Sequence, residues 1–429
     1  MARTARRIDW DELDTVQVAS DINRPLGSLE HLFWLLDQNR SFHFAVTAQI
    51  TGRASPYDWR EALDLIQERH PLLSVSIDGS PSSVPRFRQR DAAPIPLRIV
   101  EEDPKTHWKR EVSKELATPF DPSRAPLIRA VLIQGIRTTG FILVAHHSIA
   151  DGLSLAYAIR DTLSAVSGGP FATLPSMRSQ EEILRATRMP FSVASAADQD
   201  DNPLAGNPAT YRRLNKSRPS VEGLRLAPAL TQRLRNRARR EGTTVHGALS
   251  AALAIGGRRV LAPWREMPVR VINPINIRPI LGVGEDCGVF VSASTGVLNN
   301  QPKGFWELAR EAKLTLSAGQ KRDAVAARLS AIEEAVGDGM EIAAAADFAA
   351  NALAHEAVLT NLGVLAFDRR FGRLQLEELW GPAVGMGFEG EQTIGVATIN
   401  GSICLTHTTH TSTKGLLKAM GDVVAEACR

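Results

Sequence analysis

The chain is poor in the residues that carry redox or metal chemistry. It has three cysteines, Cys287, Cys404 and Cys428. They are odd in number and far apart, so they make neither a disulfide framework nor a metal cluster, and they fit a reducing, cytoplasmic compartment. No window of about 18 apolar residues occurs, which argues against a transmembrane helix. Met1-Ala2-Arg3-Thr4-Ala5-Arg6-Arg7 is basic, and Ile8-Asp9-Trp10-Asp11-Glu12 follows without an apolar signal region. Charge nearly balances, with 50 Lys+Arg against 47 Asp+Glu and a formal net of +3, too little by itself to imply nucleic acid. There is no GxxxxGKS/T loop to cradle nucleotide phosphates, and no GxSxG elbow of an α/β-hydrolase.

What is present is the length of a large folded protein, 429 residues, 44% hydrophobic and 23% charged. This suggests two domains or one large one. Residues 42–50 read as a strand, and 59–69 as an amphipathic helix with Leu63 and Ile66 inward. Residues 127–134 and 140–146 read as strands across a short polar turn. A helix opening at Asp151 carries Leu155, Ile159 and Leu163 at four-residue spacing and stops at Ser167-Gly168-Gly169-Pro170. The stretch 177–221 reads as a crossover linker, most polar at 195–207. A second αβ region follows. Helices are expected at 229–240 and 244–258, strands at 269–275 and 288–298, and three helices between Gly304 and Leu353. Strands 393–398 and 402–408 form a hairpin through Asn400-Gly401, and 413–427 is a closing helix. The expected division is 1–176, 177–221 and 222–429.

The most informative stretch is His146-His147-Ser148-Ile149-Ala150-Asp151-Gly152. It follows the apolar run Phe141-Ile142-Leu143-Val144-Ala145, so the histidines sit where a buried strand emerges. Histidine is scarce, 10 in 429 residues, and two stand here together. Neighbours on a strand face opposite ways, so only one of the pair can serve a given site as a base. An imidazole with an ordinary pKa of about 6.5 suits proton removal near neutrality. Asp151 precedes a helix and is a good N-cap residue. Gly152 lets the backbone turn tightly or approach a substrate. The spacing fits no common zinc pattern, so no metal is expected.

This His-His-x-x-x-Asp-Gly stretch resembles the signature of the thioester-dependent acyltransferase superfamily. That superfamily contains chloramphenicol acetyltransferases, nonribosomal peptide condensation domains, plant BAHD acyltransferases and mycobacterial polyketide-associated acyltransferases. Further stretches resemble it in order: Arg69-His70-Pro71-Leu72-Leu73, Pro119-Phe120-Asp121 with Arg124 to Arg129, Thr244 to Leu249, Asn276-Ile277-Arg278-Pro279, and Thr360-Asn361-Leu362-Gly363. The plant Asp-Phe-Gly-Trp-Gly motif is absent, which favours the bacterial condensation-domain and polyketide-associated branches. The resemblance implies an α/β, layered α+β fold of two chloramphenicol-acetyltransferase-like halves, a V-shaped pseudo-dimer with a tunnel between them. It implies that His147 is the general base, that His146 supports the turn, and that Asp151 pairs with Arg278 of the second half. Thr360 and Asn361 are weaker candidates for a contact to the oxyanion or thioester, the alternative being a plain turn before Gly363.

The expected reaction moves an acyl group from an acyl-coenzyme A or acyl carrier protein thioester to a hydroxyl or amine, giving ester or amide. The thiol leaves readily, so the acceptor can attack directly and no bound cofactor is needed. The expected partners are that thioester donor and a small alcohol or amine acceptor, with no nucleic acid and no membrane span. The expected form is a stand-alone condensation-type enzyme; alternatives are a non-catalytic module that recruits a loaded carrier, and a thioester hydrolase. Arg233, Arg235, Arg237, Arg239 and Arg240 crowd one helix and read first as a solvated face, second as a docking patch for an acidic carrier or the coenzyme A phosphate. His407 and His410 lie three apart on a strand and read as ordinary polar positions rather than a metal pair.

Overall fold

The apolar run 141–145 lies in the strand Thr138–His146, buried from Thr139 to His146. Both of its faces are covered, which is why the run shows no alternation. The structure, a computed structural model, describes residues 22–79, 84–89, 92–103, 107–186, 208–215, 217–299, 303–337, 339–411 and 413–429. The basic N-terminal residues and the polar stretch 195–207 lie outside these.

Two six-stranded sheets dominate. The first runs Arg370–Phe371, Leu374–Ala383, His43–Thr51, Thr138–His146, Ile128–Gln134, Leu97–Glu101, antiparallel except at its last pair. Helices Pro56–Arg69 and Gly152–Val166 pack together beside it, and Trp59, Leu63, Ile66, Leu155, Ile159 and Leu163 fill the core between. The second runs Val291–Leu298, Val269–Asn276, Ala357–Val364, Gln392–Ile399, Ser402–Thr409, Ser220–Leu226, with Ala357–Val364 parallel to both neighbours. Its core is built with helices Val245–Val260 and Leu416–Ala427. The hairpin turn holds Asn400 and Gly401 at positive φ, 50° and 75°, the conformation a two-residue turn of that sequence favours.

Three features depart from the sequence reading. A helix, Ser28–Asn39, precedes the first long strand and went unread. The stretch 177–221 is not all connection: Gln180–Ala186 is helical, Gln180 Oε1 accepts the Val291 N–H at 3.2 Å, and Glu181 Oε1 accepts the Leu29 N–H at 3.2 Å. The strand Leu374–Ala383 leaves the second half and pairs with His43–Thr51 of the first sheet. Contact between the sheets is close there. A Cβ on Gly395 of the second sheet would stand 2.2 Å from the Pro382 carbonyl oxygen, so only glycine fits.

Candidate active site

At the end of Thr138–His146 the chain turns through His147 to Ala150 and enters the helix Gly152–Val166 with Asp151 as its N-cap. The Ser148 hydroxyl anchors this turn to the helix Ser28–Asn39 by donating to the Glu30 carbonyl at 2.8 Å. His146 and His147 project to different surroundings, as strand geometry requires.

His147 is partly exposed and sits among three phenyl rings. Centroid distances are 4.5 Å to Phe33, 5.0 Å to Phe42 and 4.6 Å to Phe44. Its Nδ1 is buried and meets no side-chain partner. Burial lowers its pKa to about 4, although its own carbonyl, that of Ala150 and the Asp151 charge act the other way. The ring is therefore neutral at pH 7 and able to accept a proton.

His146 is fully buried. Its Nδ1 accepts the Ser148 N–H at 3.2 Å, and its Nε2 lies 3.4 Å from Asp37 Oδ2. Asp37 Oδ1 also accepts the Phe42 N–H at 2.6 Å and stands 3.8 Å from His43 Nδ1. Desolvation alone would raise the Asp37 pKa, but the His146 and His43 rings beside it and the Phe42 N–H hold it well below the usual carboxylate range. Phe120 meets His43 and His146 edge-on at 5.4 and 6.3 Å, and the Arg129 guanidinium lies 4.0 Å from the Phe120 ring. The Pro119 to Arg129 segment thus buttresses the His146 side of the turn.

Asp151 and Arg278 meet across the two halves. Arg278 Nη1 donates to Asp151 Oδ2 at 2.5 Å, and both residues are buried. The same oxygen accepts the Phe290 N–H at 3.1 Å, while Oδ1 accepts the Ser154 N–H and hydroxyl at 2.9 Å each. Arg278 Nη2 donates to Ser154 Oγ at 3.0 Å and to the Asp286 carbonyl at 2.9 Å. Capping and cross-half pairing are therefore both present in one carboxylate. Desolvation raises the Asp151 pKa, yet Arg278 and these donors bring it below the usual value. Arg160 adds a second cross-half tie, bonding Glu285 and Asp161, with His70 and Arg69 also on Asp161.

Gly152 takes a role other than the tight turn expected of it. It is the first helical residue and is absent from the positive-φ positions. Its value is size: a Cβ would stand 2.7 Å from Pro382 Cγ and 2.8 Å from Leu362 Cδ2. This contact brings the Thr360 to Gly363 segment beside the motif. Asn361 Oδ1 accepts the Gly363 N–H at 2.8 Å where the strand register shifts, so the side chain serves its own turn. Thr360 pairs with Gly395 in the parallel ladder and is half-buried.

A pocket where the halves meet is lined by residues of both, among them Ser41, His43, Leu116, Phe388, Thr408 and His410; His147 is not part of its wall. Glu391 lines it too, but its carboxylate is taken by the N–H groups of Met386, Gly387 and Phe388 at 2.9, 2.9 and 3.2 Å. The letters Gly385-Met386-Gly387-Phe388-Glu389-Gly390 read GxGxxG, yet they wrap this carboxylate and lead into a strand rather than a helix, so they form no dinucleotide loop. His407 is buried and bonded to Gln392 at 2.9 Å. Arg233, Arg235, Arg239 and Arg240 are exposed on the helix Pro228–Arg240, and Arg237 bonds Glu241.

Sequence reasoning missed Phe33, Phe42, Phe44 and Asp37. The helix that supplies two of them was legible in Leu29, Leu32, Phe33 and Leu36 at three- and four-residue spacing, with Glu30 in the first turn.

Known proteins resemble this chain along most of its length. The condensation-domain family model matches residues 32–176. The model described as phthiocerol/phthiodiolone dimycocerosyl transferase C-terminus matches 215–380. The polyketide synthase associated protein 5 of Mycobacterium tuberculosis shares the fold at TM-score 0.66 and 17% identity, over 94% of this chain and 98% of that one. The first condensation domain of the CDA synthetase does so at TM-score 0.68 and 17% identity, over 95% and 96%. Bacitracin synthase 3 of Bacillus licheniformis is 25% identical over 325 residues, which is 70% of this chain but only 5% of that synthase. The chain thus spans a small fraction of the length of such curated relatives. The two models match separate parts of the chain, and the chain shares the fold of these condensation domains and of the polyketide-associated protein, two chloramphenicol-acetyltransferase-like halves in a V. No helix among the described residues is long and apolar enough to cross a membrane.

Proposed function

We propose that this chain is an acyltransferase that moves an acyl group from a coenzyme A or carrier-protein thioester to a hydroxyl or amine, with His147 as general base. The observation that carries the reading is the neutral, partly exposed His147 ring on a turn pinned between the halves by Asp151 and Arg278. The acceptor O–H or N–H gives its proton to His147 as its oxygen or nitrogen attacks the thioester carbonyl carbon. The C–S bond then breaks, the proton passes to the sulfur, and ester or amide and free thiol leave. Positioning supplies much of the rate, and a turn held from both halves is suited to it. Asp151 is saturated by Arg278, Ser154 and Phe290, so it positions the turn rather than relaying a proton. The test is free-thiol release from acyl-coenzyme A and acyl-carrier donors with and without alcohols or amines. Release that rises with the acceptor supports transfer. Release indifferent to every acceptor identifies a thioester hydrolase, and carrier binding with no release from any donor identifies a recruiting module.

A further inference from the structure

We propose that Phe33, Phe42 and Phe44 form a cage that holds the His147 imidazole in its working orientation and keeps water from it, so that the acyl group goes to the acceptor in preference to water. This rests on the acyl-transfer reading. An imidazole acting as base is usually oriented by a hydrogen bond to its second nitrogen. Here Nδ1 is buried and no side chain meets it; its polar neighbours are only the carbonyls of His147 itself and Ala150. The two nearby carboxylates are committed elsewhere: Asp151 to Arg278 and Ser154, and Asp37 to Phe42 and the His146 side. What touches the ring is aromatic surface. Phe42 lies within 23° of parallel to it, Phe44 at 38° and Phe33 at 47°.

The cage is itself fixed. All three phenyls are buried, with Phe44 only 1% exposed. Phe33 comes from the helix Ser28–Asn39, and Phe42 and Phe44 from the entry to His43–Thr51, two residues apart and so on one side of that segment. The Asp37 bond to the Phe42 N–H closes the helix-to-strand turn that delivers Phe42 to the ring. An apolar wall offers a water molecule few of the two to four partners it needs to settle. Transfer and hydrolysis differ only in the nucleophile. An acceptor hydroxyl or amine yields acylated acceptor and thiol; water yields carboxylic acid and thiol, with the same bond broken. Excluding an ordered water from His147 therefore favours transfer without changing the chemistry.

The experiment uses the full chain and Phe33→Ala, Phe42→Ala and Phe44→Ala, which remove the ring faces and open space beside His147 to water. Urea unfolding selects variants that fold. In these, the His147 imidazole is titrated by NMR with labelled histidine, and acyl-coenzyme A turnover is split into acylated acceptor and free acid. The expected result is a His147 midpoint moved up towards about 6.5 and a free-acid share raised about tenfold in at least one folded variant. If every folded variant keeps both the midpoint and the share, the proposal is overturned. If all three fail to fold, the same readings are taken on Phe42→Tyr and Phe33→Met, and unchanged values there overturn it equally. A wild-type chain that moves no acyl group from any thioester removes the proposed function and the partitioning role together. An upward midpoint in the variants would then still support the cage as what holds and dries the ring.

Discussion

His147 differs from a free histidine mainly through what surrounds it. Burial lowers its pKa to about 4. A base with a depressed pKa is lost only when the pH falls through that lowered value, so kcat/KM should stay level from neutrality down to about pH 5 and drop near pH 4. A pH profile of acyl transfer checks this; an acid limb at about 6.5, the unperturbed value, would contradict it. Asp151 and Arg278 are both buried and mutually bonded, so removing either leaves the other as a lone buried charge. Asp151→Asn and Arg278→Met should each cost about 3–5 kcal/mol, and the double variant much less than their sum. Urea unfolding of the four proteins measures the cycle, and additive losses would mean that the pair is not a unit. The motif residues at this scale were readable from their types and order. The phenyl rings around His147 were not, because aromatic contacts between a helix and a strand entry leave no spacing rule in the sequence.

At the scale of elements, the entry to Gly152–Val166 meets two segments remote in sequence. Gly152 abuts Leu362 and Pro382, and its neighbour Asp151 takes Arg278. Gly152→Ala should therefore destabilise by about 1–3 kcal/mol by overpacking, read as a lowered unfolding midpoint, whereas a helix opening onto free space would gain from alanine. An unchanged or raised midpoint would show that Leu362 and Pro382 move aside freely. Strands with continuous apolar runs, such as Thr138–His146, and helices with clear four-residue spacing, such as Gly152–Val166, were legible in the sequence. The strand Leu374–Ala383 was not. Its residues carry no sign that they pair with His43–Thr51, far away in the chain, because register across sheets is set by tertiary contact rather than local pattern. The helix Gln180–Ala186 was hidden for a related reason: seven residues are too few to show a period, and its anchors, Leu29 and Val291, lie in other segments.

Across the whole molecule, several imidazoles are held neutral by their surroundings. Burial lowers the pKa of His31, His147 and His407 to about 4 each. In the unfolded chain they titrate near about 6.5. Between these values the unfolded state binds more protons than the folded one, so stability falls as pH falls through that window and is regained above it. The urea midpoint should be clearly lower at about pH 5 than at about pH 7; equal midpoints would mean that these rings take up protons without unfolding. The most direct measurement is mass spectrometry of products formed from a panel of acyl-coenzyme A and acyl-carrier donors with alcohol and amine acceptors, for the wild-type chain and for His147→Ala. An acylated acceptor is expected from at least one donor, with product formed about two to four orders of magnitude more slowly by the folded variant if His147 is the base. Equal product from both proteins would contradict it.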